Sequence, residues 1–309
     1  MNKIIVIAGP TASGKSAVSV ELAKLLNTEI ISADSMQIYK GMNIGTAKIT
    51  EEEMKGIKHY MLDIISPEES FSVNEYTKKV KEIIKKLHSE NKIPIICGGT
   101  GLYINSLIYN FDLKEQESDP HLREELEKLY MDKGGEALIE ILREFDPQSA
   151  QRIHPNNYRR VIRAIEFYKV SGITMTEQIE RTKSAPKEYD ASFFVLNAPR
   201  EILYERINRR VDKMIEDGLL SEVTELYKSG IPKNATSMQA IGYKEMTGVL
   251  NGSDTLENAV ETIKLESRRY AKRQLTWFRR NEDAYWIDMT EFDNNPKTVA
   301  EHIIKECFK

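Results

Sequence analysis

The sequence predicts an α/β chain: an open parallel sheet flanked by helices, with an all-helical insertion. Three observations carry this. Residues 3–8 (Lys-Ile-Ile-Val-Ile-Ala) are almost wholly apolar and β-branched, as a strand buried on both faces must be. A second strand-like run, residues 29–32, follows a segment in which Val18, Leu22, Leu25 and Leu26 share one helical face. Parallel strands need such a crossover helix. Residues 114–187 are charged and helical in pattern, with no strand candidate.

The first helix is expected over residues 16–26. The next spans 73–91, where Val80, Ile83, Ile84 and Leu87 form the apolar stripe and lysines lie opposite. A strand at 93–97 leads into Gly98-Gly99-Thr100-Gly101. Within the insertion, helices are expected at 120–133, 136–145 and 156–171. A strand at 192–196 resumes the sheet, and 284–287 is a short final one. Between them the pattern is helical at 200–218, 219–229 and 255–281. The expected division is a core of residues 1–113 and 188–309 with an insertion of residues 114–187. No repeats or low-complexity tracts interrupt it.

A chain of 309 residues, 40% hydrophobic and 30% charged, suits two compact units with a sizeable core. Its apolar runs fall far short of the ~20 residues of a membrane span. A secretory signal is not expected, because the run after Lys3 ends in Gly9-Pro10. Cys97 and Cys307 can form at most one bridge, and a reducing, cytoplasmic setting is the simple reading. The net charge of −4 gives no global sign of a polyanionic partner. Local clusters carry that question instead.

The most informative motif is Gly9-Pro10-Thr11-Ala12-Ser13-Gly14-Lys15-Ser16, which fits GxxxxGK[ST] between a strand and a helix. Glycines let the loop wrap a phosphate closely, with successive N–H groups turned inward. The helix N-terminus adds partial positive charge. Lys15 can reach terminal phosphates, and Ser16 is the candidate Mg²⁺ ligand. The loop therefore binds a di- or triphosphate, ATP among the class, in a P-loop NTPase-like fold. A phosphoryl-transfer enzyme of this type carries an acidic residue at the end of a later strand. Here that strand ends in Cys97-Gly98-Gly99-Thr100, and the carboxylate follows strand two instead, as Asp34. The strand ends of an open parallel sheet share one rim, so Asp34 and Thr100 should lie near the loop. A turn-forming aspartate would look the same in sequence.

Two basic clusters stand out. Residues 264–280 hold seven Lys/Arg and one Glu, with Tyr270, Trp277 and Phe278 interleaved. On a helix, Arg268, Lys272 and Arg279 fall near one face, and Arg269, Arg273 and Arg280 follow the next ridge. Such a stripe suits a phosphate backbone and base stacking; a solvated cationic face is the plain alternative. Arg152, His154, Arg159, Arg160 and Arg163 form the second cluster, free of acids. Arg206 and Arg210, four apart, can clamp a diphosphate from the side opposite Lys15.

Together, GPTASGKS (9–16), DSMQIYKGMNIGTAK (34–48), GGTGLY (98–103), RIHPNNYRR (152–160) and KRQLTWFR (272–279) resemble the bacterial tRNA dimethylallyltransferases, in order and over nearly the whole chain. The resemblance implies transfer of a dimethylallyl group from dimethylallyl diphosphate to N6 of the adenosine just 3′ of the anticodon (position 37). The target tRNAs would read codons beginning with U, with Mg²⁺ and diphosphate release. It implies Asp34 as general base, with Thr100 and Arg210 also catalytic and the loop holding the leaving diphosphate. It places tRNA contacts on Asp34, Ser35, Met36, Gln37, Thr100 and Arg123. Further contacts fall on Arg159, Arg160, Val161, Ile162, Arg163, Gln239, Gly242, Tyr243, Lys244, Lys272, Arg273, Gln274, Trp277 and Arg279. The helical insertion would grip the anticodon stem–loop, and a monomer is expected. Adenylate isopentenyltransferases share the N-terminal motifs. A P-loop nucleoside kinase and a nucleotide-regulated RNA-binding module remain alternative readings.

Overall fold

The computed structural model describes residues 2–109, 119–184 and 186–309. Its contacts divide the chain into one unit of residues 1–108 and 189–309 and another of residues 109–188. The expected break between residues 113 and 114 lies outside the described residues.

The first unit is built on a parallel six-stranded sheet. In chain order it runs β1 (Lys3–Ala8), α1 (Lys15–Leu26), β2 (Ile30–Ser32), α2 (Glu51–Met54), β3 (His59–Tyr60), α3 (Val73–Ser89), β4 (Ile95–Gly98) and α4 (Gly101–Ile108). The second unit holds α5 (Pro120–Lys133), α6 (Gly135–Phe145), α7 (Pro147–Arg152), α8 (Tyr158–Ser171) and α9 (Met175–Ser184). The chain returns through β5 (Asp190–Asn197), α10 (Arg200–Glu216), α11 (Leu219–Lys228), α12 (Tyr243–Leu250), α13 (Leu256–Phe278), β6 (Tyr285–Asp288) and α14 (Pro296–Cys307).

The strand order is β3-β2-β4-β1-β5-β6. Five of six residues of β1 are buried, as its apolar sequence requires. In the register, Ala8 lies opposite Gly98 and Val195, and Ser32 opposite Cys97. The loop after β1, Asp34 after β2 and the glycine turn after β4 therefore leave the sheet at one rim. The connection from β1 to β2 passes over β4, and ligands bind outside the strand ends at such a switch.

On one face of the sheet, Val18, Leu22 and Ala23 of α1 meet Val299, Ala300 and Ile303 of α14 in a common core. Leu22 is fully buried, and trimming it to alanine should cost about 2–5 kcal/mol. A second core joins Ile38, Tyr39 and Met42 to Val211, Leu219, Tyr243 and Ile263 of the C-terminal helices.

Several elements depart from the pattern reading. β3 has two residues, too short to show alternation. α2 is a single turn held by a capping box between Thr50 and Glu53. α4 is apolar nearly throughout, so it carries no amphipathic stripe. α7, α9, α12 and α14 are further helices that were not anticipated. Cys97 and Cys307 are both free thiols.

The second unit has its own core, formed by Leu126, Leu138, Ile139, Leu142, Val161, Ile162 and Ile165. Asp119 caps α5 by accepting from the N–H groups of His121 and Leu122. Buried Asp146 caps α7 through Ser149 N–H and also accepts from Thr176 Oγ1 at 2.6 Å, which ties α9 to the unit. Tyr130 stacks on Tyr158 and Phe145 on Tyr168.

Candidate functional site

The site begins where β1 ends. Gly9 takes φ 142°, and a Cβ there would stand 2.3 Å from Leu196 O. Ala12 (φ 62°) and Gly14 (φ 91°) are left-handed, which turns the loop into an anion-binding nest. Gly14 is also the N-cap of α1. It offers no side-chain acceptor, and the first turn holds no acid. The helix end thus keeps its N–H groups and positive dipole for an anion.

Lys15 donates to Pro10 O at 2.6 Å across the loop. Its ammonium is pushed down to about 8, chiefly by burial and further by Arg210, with Cys97 and Asp34 acting the other way. Arg210 on α10 donates to Thr11 Oγ1 at 3.4 Å, so the loop has a second cation beside it. Arg206 does not join that clamp: it is turned to Asn294 Oδ1.

Asp34 accepts the N–H of Met36 at 2.9 Å and of Gln37 at 3.4 Å, both on Oδ1. The turn-forming reading of this aspartate is thus correct, and Oδ2 remains for another donor. Burial raises the carboxyl above its ordinary value, against the two backbone N–H groups, Lys15 and Lys48. Thr100 Oγ1 accepts the N–H of Ser35 at 3.0 Å and donates to Ser35 Oγ. Its hydroxyl is committed to the Asp34 turn, and the residue backs the cleft wall without lining the cavity.

These groups surround one cavity of about 590 Å³. Thr11 to Ser16, Asp34 to Gln37, Arg210, Gln239 and Arg273 supply its polar lining. Ile49, Leu62, Ile207, Val211, Met214 and Ile263 supply an apolar part. Tyr270, read from sequence as an aromatic within the basic stripe, lines it, and so does His59, which no motif marked. Tyr270 lies beside Thr100 and Gln274, and burial pushes its phenol up to about 12. Burial lowers His59, whose Nδ1 meets Ile57 O at 2.9 Å.

The loop of residues 34–48 is fastened from outside. Glu222 of α11 accepts the N–H groups of Asn43, Ile44 and Gly45, and Tyr243 donates to the same carboxylate. A carboxylate held by successive amides left no sequence signal. Lys48 pairs with Asp63 and donates to Tyr39 O at 2.7 Å.

Several residues expected to meet RNA are turned elsewhere. Tyr243 is fully buried, with its hydroxyl on Glu222. Gly242 is buried and opens α12 at φ 96°. Gln37 Nε2 donates to Thr46 O and Ala47 O within its own loop. Gln274 is buried: it accepts the N–H of Thr11 at 2.9 Å and donates to Gly99 O at 3.0 Å. Half-buried Trp277 packs on Gly101. In the helical unit, Val161 and Ile162 are core residues, and Arg123 pairs with buried Glu166 at 2.7 Å. Arg159, Arg160, Arg163, Lys244, Lys272 and Arg279 are exposed. Arg273 lies over the Tyr270 ring at the cleft, while Arg268 and Arg269 engage Asn208 and Glu266.

A parallel sheet with a phosphate loop at its rim and a half-buried carboxylate lining the same partly apolar cleft defines a P-loop enzyme acting on a phosphorylated substrate. The comparisons narrow that class. The IPP transferase profile matches residues 37–281, and the chain belongs to this family. It is 49% identical to a tRNA dimethylallyltransferase of Halalkalibacterium halodurans, over 97% of this chain and 95% of that one. It is 52% identical to one of Bacillus anthracis, over 94% and 91%. A solved full-length tRNA isopentenylpyrophosphate transferase from Bacillus halodurans aligns with TM-score 0.74 and 46% identity, covering 99% and 96% of the two chains. A eukaryotic dimethylallyltransferase captured acting on tRNA aligns with TM-score 0.82 and 32% identity, covering 97% of this chain and 78% of that one.

Proposed function

We propose that the cleft joins dimethylallyl diphosphate to N6 of the adenosine immediately 3′ of the anticodon, position 37, in tRNAs reading codons that begin with U. Dimethylallyl transfer to tRNA is the activity of the family, and the chain is an enzyme of that kind. The observation that carries the assignment of residues is the shared rim: the phosphate loop and Asp34 open into one cavity, with Lys15 and Asp34 close enough to perturb each other's protonation.

The exocyclic amine is a poor nucleophile, because its lone pair is delocalised into the ring. Asp34 takes its proton through Oδ2 as the N6–C1 bond forms, and the allylic C1–O bond breaks to release diphosphate. A carboxyl raised by burial is a stronger base than an exposed one, and the Met36 and Gln37 amides hold it ionised. Lys15, Arg210 and the bare N-terminus of α1 take up the charge that grows on the leaving group. Ile207, Val211, Met214 and Ile263 give the prenyl chain an apolar wall and keep water from the allylic cation.

No group of three or more His, Cys, Asp or Glu suited to a metal occurs among the described residues. Beside the phosphate loop the cavity offers the Ser16 hydroxyl and the Asp34 carboxylate, both hard oxygen donors, with Glu53 also in its lining. That set fits Mg²⁺ held largely through the substrate's own oxygens and water. Bound there with Ser16, Mg²⁺ would supply further positive charge to the diphosphate.

The target base must leave its stack, at a cost of a few kcal/mol. Arg159, Arg160 and Arg163 on α8 and Lys272 and Arg279 on α13 offer exposed cations for the tRNA backbone. We expect a monomer working in the cytoplasm, where both substrates are dissolved. The test is incubation with Mg²⁺, labelled dimethylallyl diphosphate and unmodified tRNA. Label should appear at the adenosine beside the anticodon. Label in free AMP alone, or ATP turnover with no prenylated RNA, would reject the assignment.

A further inference from the structure

The turn after β4, Gly98-Gly99-Thr100-Gly101, is a socket for α13. A Cβ on Gly99 would stand 2.1 Å from Gln274 Nε2, and one on Gly101 2.2 Å from Trp277 Cδ1. Neither glycine has positive φ, so the residue type is demanded by the close approach of the helix and not by backbone conformation.

Into this socket Gln274 sends a buried amide whose two ends serve different partners. Its oxygen accepts the N–H of Thr11 in the phosphate loop, and its nitrogen donates to Gly99 O. One side chain thereby spans the loop after β1 and the turn after β4. The next residue of that turn, Thr100, bonds to Ser35 N–H, beside Asp34. With its N–H held by Gln274, Thr11 has its hydroxyl left to face Arg210.

We propose that Gln274 is a positioning residue that fixes the spacing between the phosphate loop and the Thr100–Asp34 side of the cleft, and that it makes no contact with RNA. The proposal rests on the phosphate loop being the diphosphate cradle. The amide acts through geometry. Without it, the Thr11 peptide and the turn after β4 are each free to shift, and misplacement of about 1 Å costs up to 10²-fold in rate.

The experiment is steady-state kinetics with dimethylallyl diphosphate and unmodified tRNA, beside a separate tRNA-binding titration. Gln274→Met keeps the shape and removes both hydrogen bonds, together with the amide's contact to the Tyr270 hydroxyl. KM for dimethylallyl diphosphate should rise, or kcat fall, by roughly 10- to 100-fold. The Kd for tRNA should stay within about twofold. Gly99→Ala, which displaces the amide, should reproduce this profile. It should add nothing on a Gln274→Ala background, where the space is already open. A Gln274→Met enzyme with normal kinetics toward the diphosphate and weakened tRNA binding would overturn the proposal in favour of an RNA contact. Fully multiplicative losses from Gly99→Ala and Gln274→Ala would overturn it as well. Lys15→Ala separates the two layers. If it retains wild-type affinity for inorganic diphosphate, the cradle assignment itself fails. If it loses that affinity while Gln274→Met behaves as wild type, only the positioning role fails.

Discussion

The two glycine-rich turns that leave the sheet side by side, after β1 and after β4, hold glycines for different reasons, with Gly9 combining both: φ 142° and a close approach to Leu196 O. In the first, Gly14 sits at φ 91° with little around it but the end of Met289. The constraint is conformational, and it serves to turn N–H groups toward an anion. In the second, the backbone is ordinary and the neighbours are close: Ala33 O against Gly98, Gln274 against Gly99, Trp277 against Gly101. One turn is shaped for a ligand and the other for the rest of the protein. A motif search treats them alike.

If that division is right, a glycine of the second turn should couple to the side chain it meets, and Gly14 should couple to none. The largest expected effect is on Asp34. Asp34→Asn should slow single-turnover prenyl transfer by roughly 10²–10⁴-fold, with tRNA affinity unchanged. Retention of the wild-type rate would remove it as the base.

Next come the glycines. Gly101→Ala should cost about 1–3 kcal/mol of unfolding free energy by overpacking. That cost should vanish in a Trp277→Ala background, since the ring it strikes is gone. Gly14→Ala should cost about 1–2 kcal/mol through left-handed strain, and no removal of a neighbouring side chain should recover it. Chemical denaturation of the two double-mutant cycles decides between them. Coupling at Gly14 like that at Gly101 would dissolve the distinction.

The pH dependence sharpens the first turn further. Lys15 holds its proton below about 8 in the folded protein and must be charged to grip diphosphate. Affinity for dimethylallyl diphosphate should therefore fall as pH rises through about 8, and titrations from pH 7 to 9 would show it. Stability should move the other way. Between about 8 and the ordinary lysine value the unfolded chain binds more protons, so stability rises with pH over that window. At the acid end, the raised Asp34 carboxyl should make the rate fall at higher pH than for an exposed aspartate.

The smallest effect belongs to the helical unit. Arg159→Ala or Arg163→Ala should each flatten the log–log salt dependence of tRNA binding by about one. An unchanged slope would make that face merely solvated.

Legibility in the sequence followed the same division. The phosphate loop could be read because its conformation demands particular residues at fixed spacing, and β1, α1 and, in the insertion, α5, α6 and α8 followed from their residue patterns. The second turn was only a cluster of glycines, since its meaning lies in Gln274 and Trp277, far along the chain. Gln274 was read as an RNA contact inside KRQLTWFRR, where the flanking cations suggest a solvent-facing stripe. Glu222 stood in an ordinary amphipathic helix, and nothing marked it as the fastening of residues 43–45. α4 and α14 escaped for opposite reasons: one is apolar on nearly all sides, and the other is a short helix beyond the last motif.

The order in which the strands are made has its own consequence. β1 lies between β4 and β5, yet β5 follows the whole of residues 109–188. A ribosome must finish those helices before β1 gains its second neighbour. Until then the most apolar strand of the nascent protein keeps an open hydrogen-bonding edge, a target for chaperones and for wrong partners. Early folding of the helical segment on its own core would keep the intervening chain compact meanwhile.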